Sequence, residues 1–594
     1  MIAERIEQLR AQMKERQIDA YMVPSADYHQ SEYVGKHFKE RAFITGFTGS
    51  AGTAVITMDE AGLWTDGRYF LQAGQQLQGT GVTLFKMGEE GVPTVEEYLV
   101  KKLPEHGVLG FDGRVVSAGE GRSLLEKFAG KQGEIHCDMD LVGEIWKNRP
   151  ALSDKPAFLL EEKYAGESAA SKLSRVREVM GEAGAGVHVL TTLDDICWLL
   201  NIRGDDIAYS PLVLCYCIVY MDRVVLYIDE QKLDDQIRAQ FQKDQVEVRP
   251  YGSIYEDVRQ FGAGDTLLLD PSGVNYTIYS SLAAEVKTVE QRNPSTMFKA
   301  VKNKVEVENI KAAHIKDAVA VTKFLYWLKH HIGRVPLTEM SVSDKLEEFR
   351  REQEGFIEPS FAPISAYRDH AAIVHYESTP ETNVELKPEG LLLMDTGGHY
   401  YEGTTDITRT IALGKLTQEE KEHFTITLRS MLRLANTKFL YGCTGENLDV
   451  VARRPFWEVG LNYNHGTGHG VGYLMNVHEG PQNLRWRATG QPSYPLETGM
   501  TVTDEPGLYI EGSHGIRLEN ELTVCEAEKN EYGQFMKFEF LTYVPIDLDA
   551  VIPEKMSDRD RKMLNDYHKI VYEKISPYLT DAECFWLCEV TRKI

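Results

Sequence analysis

Two stretches in the N-terminal half follow the same order of elements, and this repeat constrains the fold more than any other feature. In each, a charge-rich helical segment leads into a short apolar strand, then a turn with glycine, then strands that end on an acidic turn. Such alternation predicts two α/β units of about 140–150 residues each. The helical segments are residues 4–16 and 169–183, the first strands are 19–24 and 186–190, and the later strands are 54–59 and 224–229.

Length and two proline-bearing polar stretches divide the chain further. A chain of 594 residues exceeds what one hydrophobic core supports, which is about 250–300 residues. Residues 148–156 and 293–295 carry prolines and no hydrophobic periodicity, as linkers do. We therefore predict a multidomain α/β and α+β protein with domains at 1–153, 154–297 and 298–594. The last domain is expected to end in a helical tail from about residue 554.

Composition argues against several classes of protein. A formal net charge of −25 opposes broad contact with phosphate backbones, so we expect no nucleic-acid partner. The longest apolar run, 211–221, is shorter than the ~20 residues that span a bilayer. Residues 1–10 form a charged amphipathic helix rather than a signal peptide. Eight cysteines without a repeated spacing predict reduced thiols. We expect a cytoplasmic protein with no membrane partner.

Two aspartates in the last third are placed to meet. Asp395 ends an apolar strand that begins at Leu391, and Asp406 opens the next strand after a glycine-bearing turn. If the strands pair as a hairpin, the two carboxylates face each other beside apolar residues, which is unfavourable unless a cation lies between them. Acids beside a turn are more often simply solvated, so this pair alone leaves both interpretations open.

Three histidines, His465, His469 and His478, lie within fourteen positions. Glycines alternate through residues 465–472, and a backbone without side chains can pass close to another group. The spacing is not GxGxxG and no P-loop Lys-Ser/Thr follows, which argues against a phosphate loop, as it does for residues 46–52. A lone loop histidine is usually a surface residue, whereas this clustering also fits a catalytic site.

Two further carboxylates occur where strands end. Residues 500–503 predict a strand that Pro506 stops, which leaves Glu505 at its end. Residues 515–522 alternate with period two and place Arg517, Glu519 and Glu521 on one face. Such a face is often exposed to solvent, but here it adds a carboxylate to the set.

Four carboxylates and one imidazole form a donor set typical of a metal centre. Hard oxygen ligands with a single histidine suit two divalent ions of the Mn, Co or Zn kind. Two such ions about 3.5–4 Å apart lower the pKa of a shared water and polarise an amide carbonyl. The scattered positions exclude the helical HExxH zinc site. The ligand types do not separate the three metals.

Six motifs together resemble the dinuclear "pita-bread" metallopeptidases, and their order is most similar to aminopeptidase P, the Xaa-Pro aminopeptidase family, in its long three-domain form. The resemblance covers essentially the whole chain and implies two creatinase-like N-terminal domains followed by a C-terminal pita-bread catalytic domain. The motifs are AIVHY at 372–376, the pair Asp395 and Asp406, HGTGHGVG at 465–472, VHEGP at 477–481, DEPG at 504–507 and GIRLEN at 515–520.

The resemblance implies a role for each of these positions. Glu505 would act on the water between the ions as a general base. Arg517 would form an ion pair with the ligand Glu519 and so fix its orientation. His375, His465 and His478 would line the site, orient the substrate, and stabilise the developing oxyanion or the departing nitrogen. The implied ligands of two ions, usually manganese, are Asp395, Asp406, His469, Glu505 and Glu519, of which Asp406 and Glu519 would bridge.

The activity implied by the resemblance is hydrolysis of the bond between an N-terminal residue and a penultimate proline in small peptides, by a hydroxide that bridges two metal ions. That bond is a tertiary amide without an N–H, so peptidases that require this N–H fail on it. The resemblance also implies a homodimer. Residues 365–370 depart from the glycine-rich turn with Asn or Thr that is common in this family.

Other members of the fold remain as alternatives. A prolidase cleaves only Xaa-Pro dipeptides, but its chain usually carries one N-terminal domain, and methionine aminopeptidases generally lack both. A non-enzymatic binding protein on the same fold would be expected to have lost ligands, whereas all five positions are intact here. Metal-free, creatinase-like hydrolysis would not need the full carboxylate set.

Overall fold

The computed structural model describes residues 2–487 and 492–594 and separates into two compact units. One unit comprises the chain through Glu162 together with Glu167–Thr296, and the other comprises Lys163–Gly166 and Met297–Ile594. Met1, at the start of the predicted N-terminal helix, lies outside the described residues. None of the helices within the described ranges combines the length and apolarity needed to cross a membrane.

Among the described residues, the first unit forms two six-stranded sheets with the same strand order. When the strands of each sheet are counted along the chain, the first pairs antiparallel with the second and parallel with the fifth. The two edge strands of each sheet are parallel to their neighbours. The predicted internal repeat is confirmed. In spatial order the strands are Thr83–Lys86, Ala61–Thr65, Thr53–Thr57, Ala20–Pro24, Val108–Gly110 and Glu134–His136, then Val246–Arg249, Val224–Ile228, Cys215–Tyr220, Val187–Leu190, Thr266–Leu269 and Lys287–Glu290.

The central strand Ala20–Pro24 shows why each sheet is covered on both faces. Successive side chains point to opposite faces, so Tyr21 and Val23 join one core and Ala20 and Met22 join another. Helices supply the other half of both cores. All eight cysteines are free, as their spacing predicts. Two short strands, Phe158–Leu159 and Ile202–Arg203, pair with each other. The α-helices through residue 280 are Ile2–Glu15, Glu40–Thr45, Phe70–Gln76, Val95–Lys102, Ala118–Ala129, Leu141–Ile145, Glu162–Ala165, Ala169–Glu182, Leu193–Leu199, Asp235–Lys243, Ile254–Asp257 and Tyr276–Ser280.

The second unit packs small antiparallel sheets against long helices. Thr417 and Glu420 form a capping box at the start of the helix Gln418–Ala435, which buries Phe424 and Leu428. The helical tail predicted from about residue 554 is confirmed. The helices are Pro294–Ala300, Lys304–His331, Glu339–Arg351, Gln418–Ala435, Gly445–Trp457, Asp558–Ile575 and Asp581–Val590.

The strands of the second unit bring distant parts of the chain side by side. Leu391–Thr396 lies between Ile364–Tyr367 and Ile407–Ala412, with Asp395 opposite Thr408. The predicted pairing of the two aspartate-bearing strands is therefore confirmed. The other sheets are Phe356–Pro359, Gly398–Tyr400 and Gly403–Thr404; Lys438–Leu440, Gly533–Phe540, Asn520–Asn530 and Thr501–Asp504; Gly468–Gly470 and Glu479–Leu484; and Gly507–Ile510 with His514–Arg517.

The single strand predicted over residues 515–522 is wrong. The chain forms two strands, His514–Arg517 and Asn520–Asn530, which pair with different partners, Gly507–Ile510 and Thr501–Asp504. The alternation of side chains continues through the break, so periodicity could not reveal it. Glu519 therefore sits at a change of partner, where its N–H donates to the Thr408 carbonyl at 3.1 Å.

His568 makes the helix Asp558–Ile575 sensitive to acid. Its ring is fully buried, its Nε2 accepts the Ile546 N–H at 3.1 Å, and burial together with the charge on Arg409 lowers its pKa to about 3. The unfolded chain therefore binds this proton more readily, and stability declines by up to about 1.4 kcal/mol per pH unit as pH falls from 6.5 toward 3.

We expect His568→Gln, which keeps an acceptor for the Ile546 N–H, to lose less thermal stability than the wild type between pH 7.5 and pH 5. Thermal denaturation at the two pH values measures this difference. His106→Gln, at an exposed position, is the control and should follow the wild type. Equal losses in all three proteins would contradict the prediction.

Candidate active site

Asp406, His469 and Glu519 converge in the second unit. Each offers one ligand atom, and these atoms lie within 4.8 Å of one another. Asp406 immediately precedes the strand Ile407–Ala412, His469 is the centre of Gly468–Gly470, and Glu519 lies at the change of strand partner. Residues separated by more than a hundred positions thus meet at strand ends.

Glycines on both sides of His469 allow this close packing. A Cβ at Gly468 would lie 1.9 Å from the Thr503 carbonyl oxygen, so only glycine lets this strand pass the neighbouring backbone. The Nδ1 of His469 is 2.9 Å from the Gly470 carbonyl oxygen and donates to it, which leaves Nε2 with its lone pair. Nε2 faces Asp406 Oδ2 at 3.5 Å and Glu505 Oε1 at 3.8 Å.

Asp395 is held by Arg517, which corrects the predicted pair of Arg517 with Glu519. Arg517 Nε donates to Asp395 Oδ2 at 3.2 Å and Nη2 donates to the same oxygen. Glu519 instead accepts a hydrogen bond from Thr408 Oγ1 at 2.6 Å. Face alternation places Arg517 and Glu519 on the same side of one ideal strand, but the break between them turns the guanidinium toward the adjacent sheet.

Tyr509 links Arg517 to His465 and was missed by the sequence analysis. Arg517 Nη1 donates to the Tyr509 hydroxyl at 2.7 Å, and that hydroxyl lies 2.9 Å from His465 Nε2. His465 Nδ1 is 2.6 Å from the Gly466 carbonyl oxygen, so both ring nitrogens are engaged. Burial raises the pKa of Tyr509 to about 12, against the opposing charge of Arg517. The only signal in the sequence that could have marked Tyr509 is its position two residues after the DEPG motif and two residues before Glu511.

His478 lies beside His469, and His375 follows a residue whose carbonyl approaches Arg517. The His478 ring packs edge-on against the His469 ring with centroids 4.3 Å apart. His375 is half-buried in the turn after residues 368–372, and the carbonyl oxygen of the preceding Val374 is 3.5 Å from Arg517 Nη2.

The burial of these acids disfavours their charged forms unless a cation is bound. Burial, and then the charge on Asp395, raises the pKa of Asp406 well above its usual range, and burial followed by the Asp406 charge does the same for Glu519. Burial also raises the pKa of Glu505. Asp395 Oδ1 is buried and accepts no hydrogen bond. When all four carboxylates are ionised, they and the Arg517 guanidinium carry a charge of about −3, which two divalent ions would offset. The donor set therefore fits the implied metals.

Comparison with known proteins agrees with this geometry. The family model for the creatinase/prolidase N-terminal domain matches residues 5–138 and its second form matches 148–306. The model for metallopeptidase family M24 matches residues 308–526, and that for its C-terminal region matches 534–594. The fold and the carboxylate site thus define a metallopeptidase of the pita-bread class with creatinase-like N-terminal domains and a centre for two divalent metal ions.

Relatives along the full length specify the family. Aminopeptidase P1 of Arabidopsis thaliana is 38% identical over 97% of both chains. The X-prolyl aminopeptidase of Caenorhabditis elegans, described as a cytosolic enzyme with a di-nuclear active site, is 34% identical, and its structure covers 100% of both chains with a TM-score of 0.96. The Xaa-Pro dipeptidase of Bacillus anthracis, 26% identical, covers 65% of this chain and 100% of its own with a TM-score of 0.52. The chain belongs to the Xaa-Pro aminopeptidase family.

Proposed function

We propose that this protein is a metal-dependent aminopeptidase that hydrolyses the bond between an N-terminal residue and a penultimate proline in small peptides. The observation that carries the proposal is the convergence of Asp406, His469 and Glu519 within 4.8 Å, with Asp395 and Glu505 beside them. Full-length similarity to Xaa-Pro aminopeptidases, including both N-terminal repeats, favours this activity over that of the shorter dipeptidase.

The proposed ligands of the two ions are Asp395, Asp406, His469, Glu505 and Glu519. Asp406 and Glu519, whose ligand atoms form one group with that of His469, are proposed to bridge. Bound divalent ions supply a water of lowered pKa and polarise the scissile carbonyl. Manganese is the proposed native metal, with cobalt or zinc as alternatives.

The chain's own side chains supply the remaining steps. Glu505, half-buried and with a raised pKa, is suited to take up the proton of the attacking water. His375 and His478 orient the peptide and stabilise negative charge on the carbonyl oxygen or on the departing nitrogen. Both ring nitrogens of His465 are engaged in contacts, so His465 lines the site and holds the Tyr509 hydroxyl in place. Arg517 balances Asp395 and fixes its orientation.

Further properties extend this proposal. We place the protein in the cytoplasm, in keeping with the C. elegans relative, which is described as cytosolic. We also propose that it forms a homodimer. The proposed domain boundaries remain 1–153, 154–297 and 298–594; the first of these divides the unit that holds the two repeated sheets.

A cleavage panel tests the proposal. We expect Ala-Pro-Ala to be cleaved after its first residue at least about tenfold more efficiently than Ala-Pro, and Ala-Ala-Ala to be cleaved poorly, since the site is proposed to recognise the proline ring. Mass spectrometry of products with manganese-loaded protein gives the rates. Preference for the dipeptide would favour a prolidase, and no cleavage of any peptide by fully loaded protein would favour a binding protein.

A further inference from the structure

Glu339 is a fully buried carboxylate that holds the segment carrying His375 at three points. Its Oε1 accepts the Tyr367 N–H at 2.7 Å and lies 2.9 Å from His370 Nδ1. Its Oε2 accepts the Tyr376 hydroxyl at 3.0 Å. We call Glu339, His370 and Tyr376 the Glu339 clamp. The clamp fixes the start, the middle and the end of residues 367–376, so that His375 lies between two of its contacts.

The clamped segment lies against the strand that carries Arg517. A Cβ at Gly515 would lie 1.8 Å from the Ala371 carbonyl oxygen, so the two backbones are in direct contact. Arg517 Nη2 lies 3.5 Å from the Val374 carbonyl oxygen. A shift of the segment would therefore move His375 relative to Arg517 and to the Asp395 carboxylate that Arg517 holds.

A role in capping does not account for the Glu339 side chain. The helix Glu339–Arg351 is capped by the reciprocal hydrogen bonds of Thr338 and Ser341, while the Glu339 carboxylate turns away to the segment. The Glu339 carboxylate favours the protonated form of His370, because its hydrogen bond to that ring raises the pKa of His370. A buried carboxylate with three donors is costly to place, and its contacts are all made to the segment that presents His375.

We propose that Glu339, acting through His370 and Tyr376, is a positioning residue that sets the place of His375 in the active site. The unusual residues 365–370 serve this purpose, since they include His370 and the Tyr367 N–H, two of the three groups that the carboxylate binds. This inference rests on the proposed function, because it assigns His375 a part in peptide hydrolysis.

The test combines Glu339→Gln with His375→Ala. Glu339→Gln keeps the size of the side chain but removes its charge and one acceptor oxygen. We expect it to lower kcat on Ala-Pro-Ala roughly tenfold, with less effect on KM, because small displacements of a catalytic group have large effects on rate. In the His375→Ala background the same change should have less than about a twofold effect, because residues that act through one another are not additive. Glu348→Gln, on the exposed face of the same helix, is the matched control and should change neither constant.

A second measurement does not depend on activity. Glu339→Gln should increase amide hydrogen exchange in residues 367–376 and leave the strand Leu391–Thr396 unchanged. Tyr376→Phe removes one contact with little change of volume and should increase exchange in the same residues by a smaller amount. This variant keeps the test possible if Glu339→Gln fails to fold. The inference would be overturned if the fold losses in kcat of Glu339→Gln and His375→Ala multiply in the double variant. Unchanged amide exchange in residues 367–376 would also overturn it. An inactive wild type with the predicted exchange change would overturn the proposed function and leave the clamp's structural part standing.

Discussion

Asp406→Asn is expected to lower kcat/KM on Ala-Pro-Ala by at least about a thousandfold while the protein stays folded. Asp406 Oδ2 faces His469 Nε2 at 3.5 Å, and an amide in its place keeps the shape but removes the charge of a proposed bridging ligand. The loss corresponds to about 4 kcal/mol of transition-state stabilisation. Steady-state kinetics and elemental analysis of bound metal measure the change.

The stability of the metal-free variant separates this prediction from simple unfolding. Burial and the neighbouring charge of Asp395 raise the pKa of Asp406, so its charged form is unfavourable in the absence of metal. The thermal midpoint of metal-free Asp406→Asn should therefore equal or exceed that of the metal-free wild type. Asp566→Asn, exposed on the C-terminal helices, is the control and should keep full activity. An Asp406→Asn protein that keeps a tenth of wild-type activity would contradict the proposed ligand set.

Removal of metal by a chelator is expected to abolish hydrolysis and to lower the thermal midpoint by several degrees. With metal bound, the ions offset the charges of the four carboxylates, whereas without metal the raised pKa values of Asp406 and Glu519 favour the uptake of protons in place of the ions. An ion present at a hundred times its dissociation constant stabilises the folded state by about 2.7 kcal/mol, and 1 kcal/mol corresponds to about 2–4 °C in a unit of this size.

Adding back manganese should restore both activity and stability, and parallel additions of cobalt and zinc identify the most effective metal. Elemental analysis of protein purified without added metal gives the native ion. Full hydrolysis by protein with fewer than about 0.1 ion per chain would contradict a metal-dependent mechanism.

Local patterns were sufficient for much of the architecture. The capping box at Thr417 and Glu420 marks the start of a helix in the sequence, because it depends only on residues within one turn. The repeat predicted two related α/β units because each strand and helix of a repeat is encoded in its own segment. The pairing of the strands that carry Asp395 and Asp406 followed from their apolar pattern and the short connection between them.

Patterns failed where a residue's role depends on a neighbour from another part of the chain. The alternation of apolar and polar residues continues through Leu518 and Glu519, although the backbone changes its strand partner there. Arg517 consequently pairs with Asp395, and Tyr509 connects it to His465, contacts that no spacing in the sequence predicts. Glu339 is separated from His370 by 31 positions and had no motif to mark it.

The sequence by itself determined which side chains could bind metal and that they stand at the ends of strands, because residue type and hydrophobic period are local properties. Only the tertiary structure decided which of those side chains face one another, which arginine balances which carboxylate, and which buried acid fixes the His375 segment. These depend on strand register and on the packing of distant backbones, where a shift of one residue turns a side chain to the opposite face.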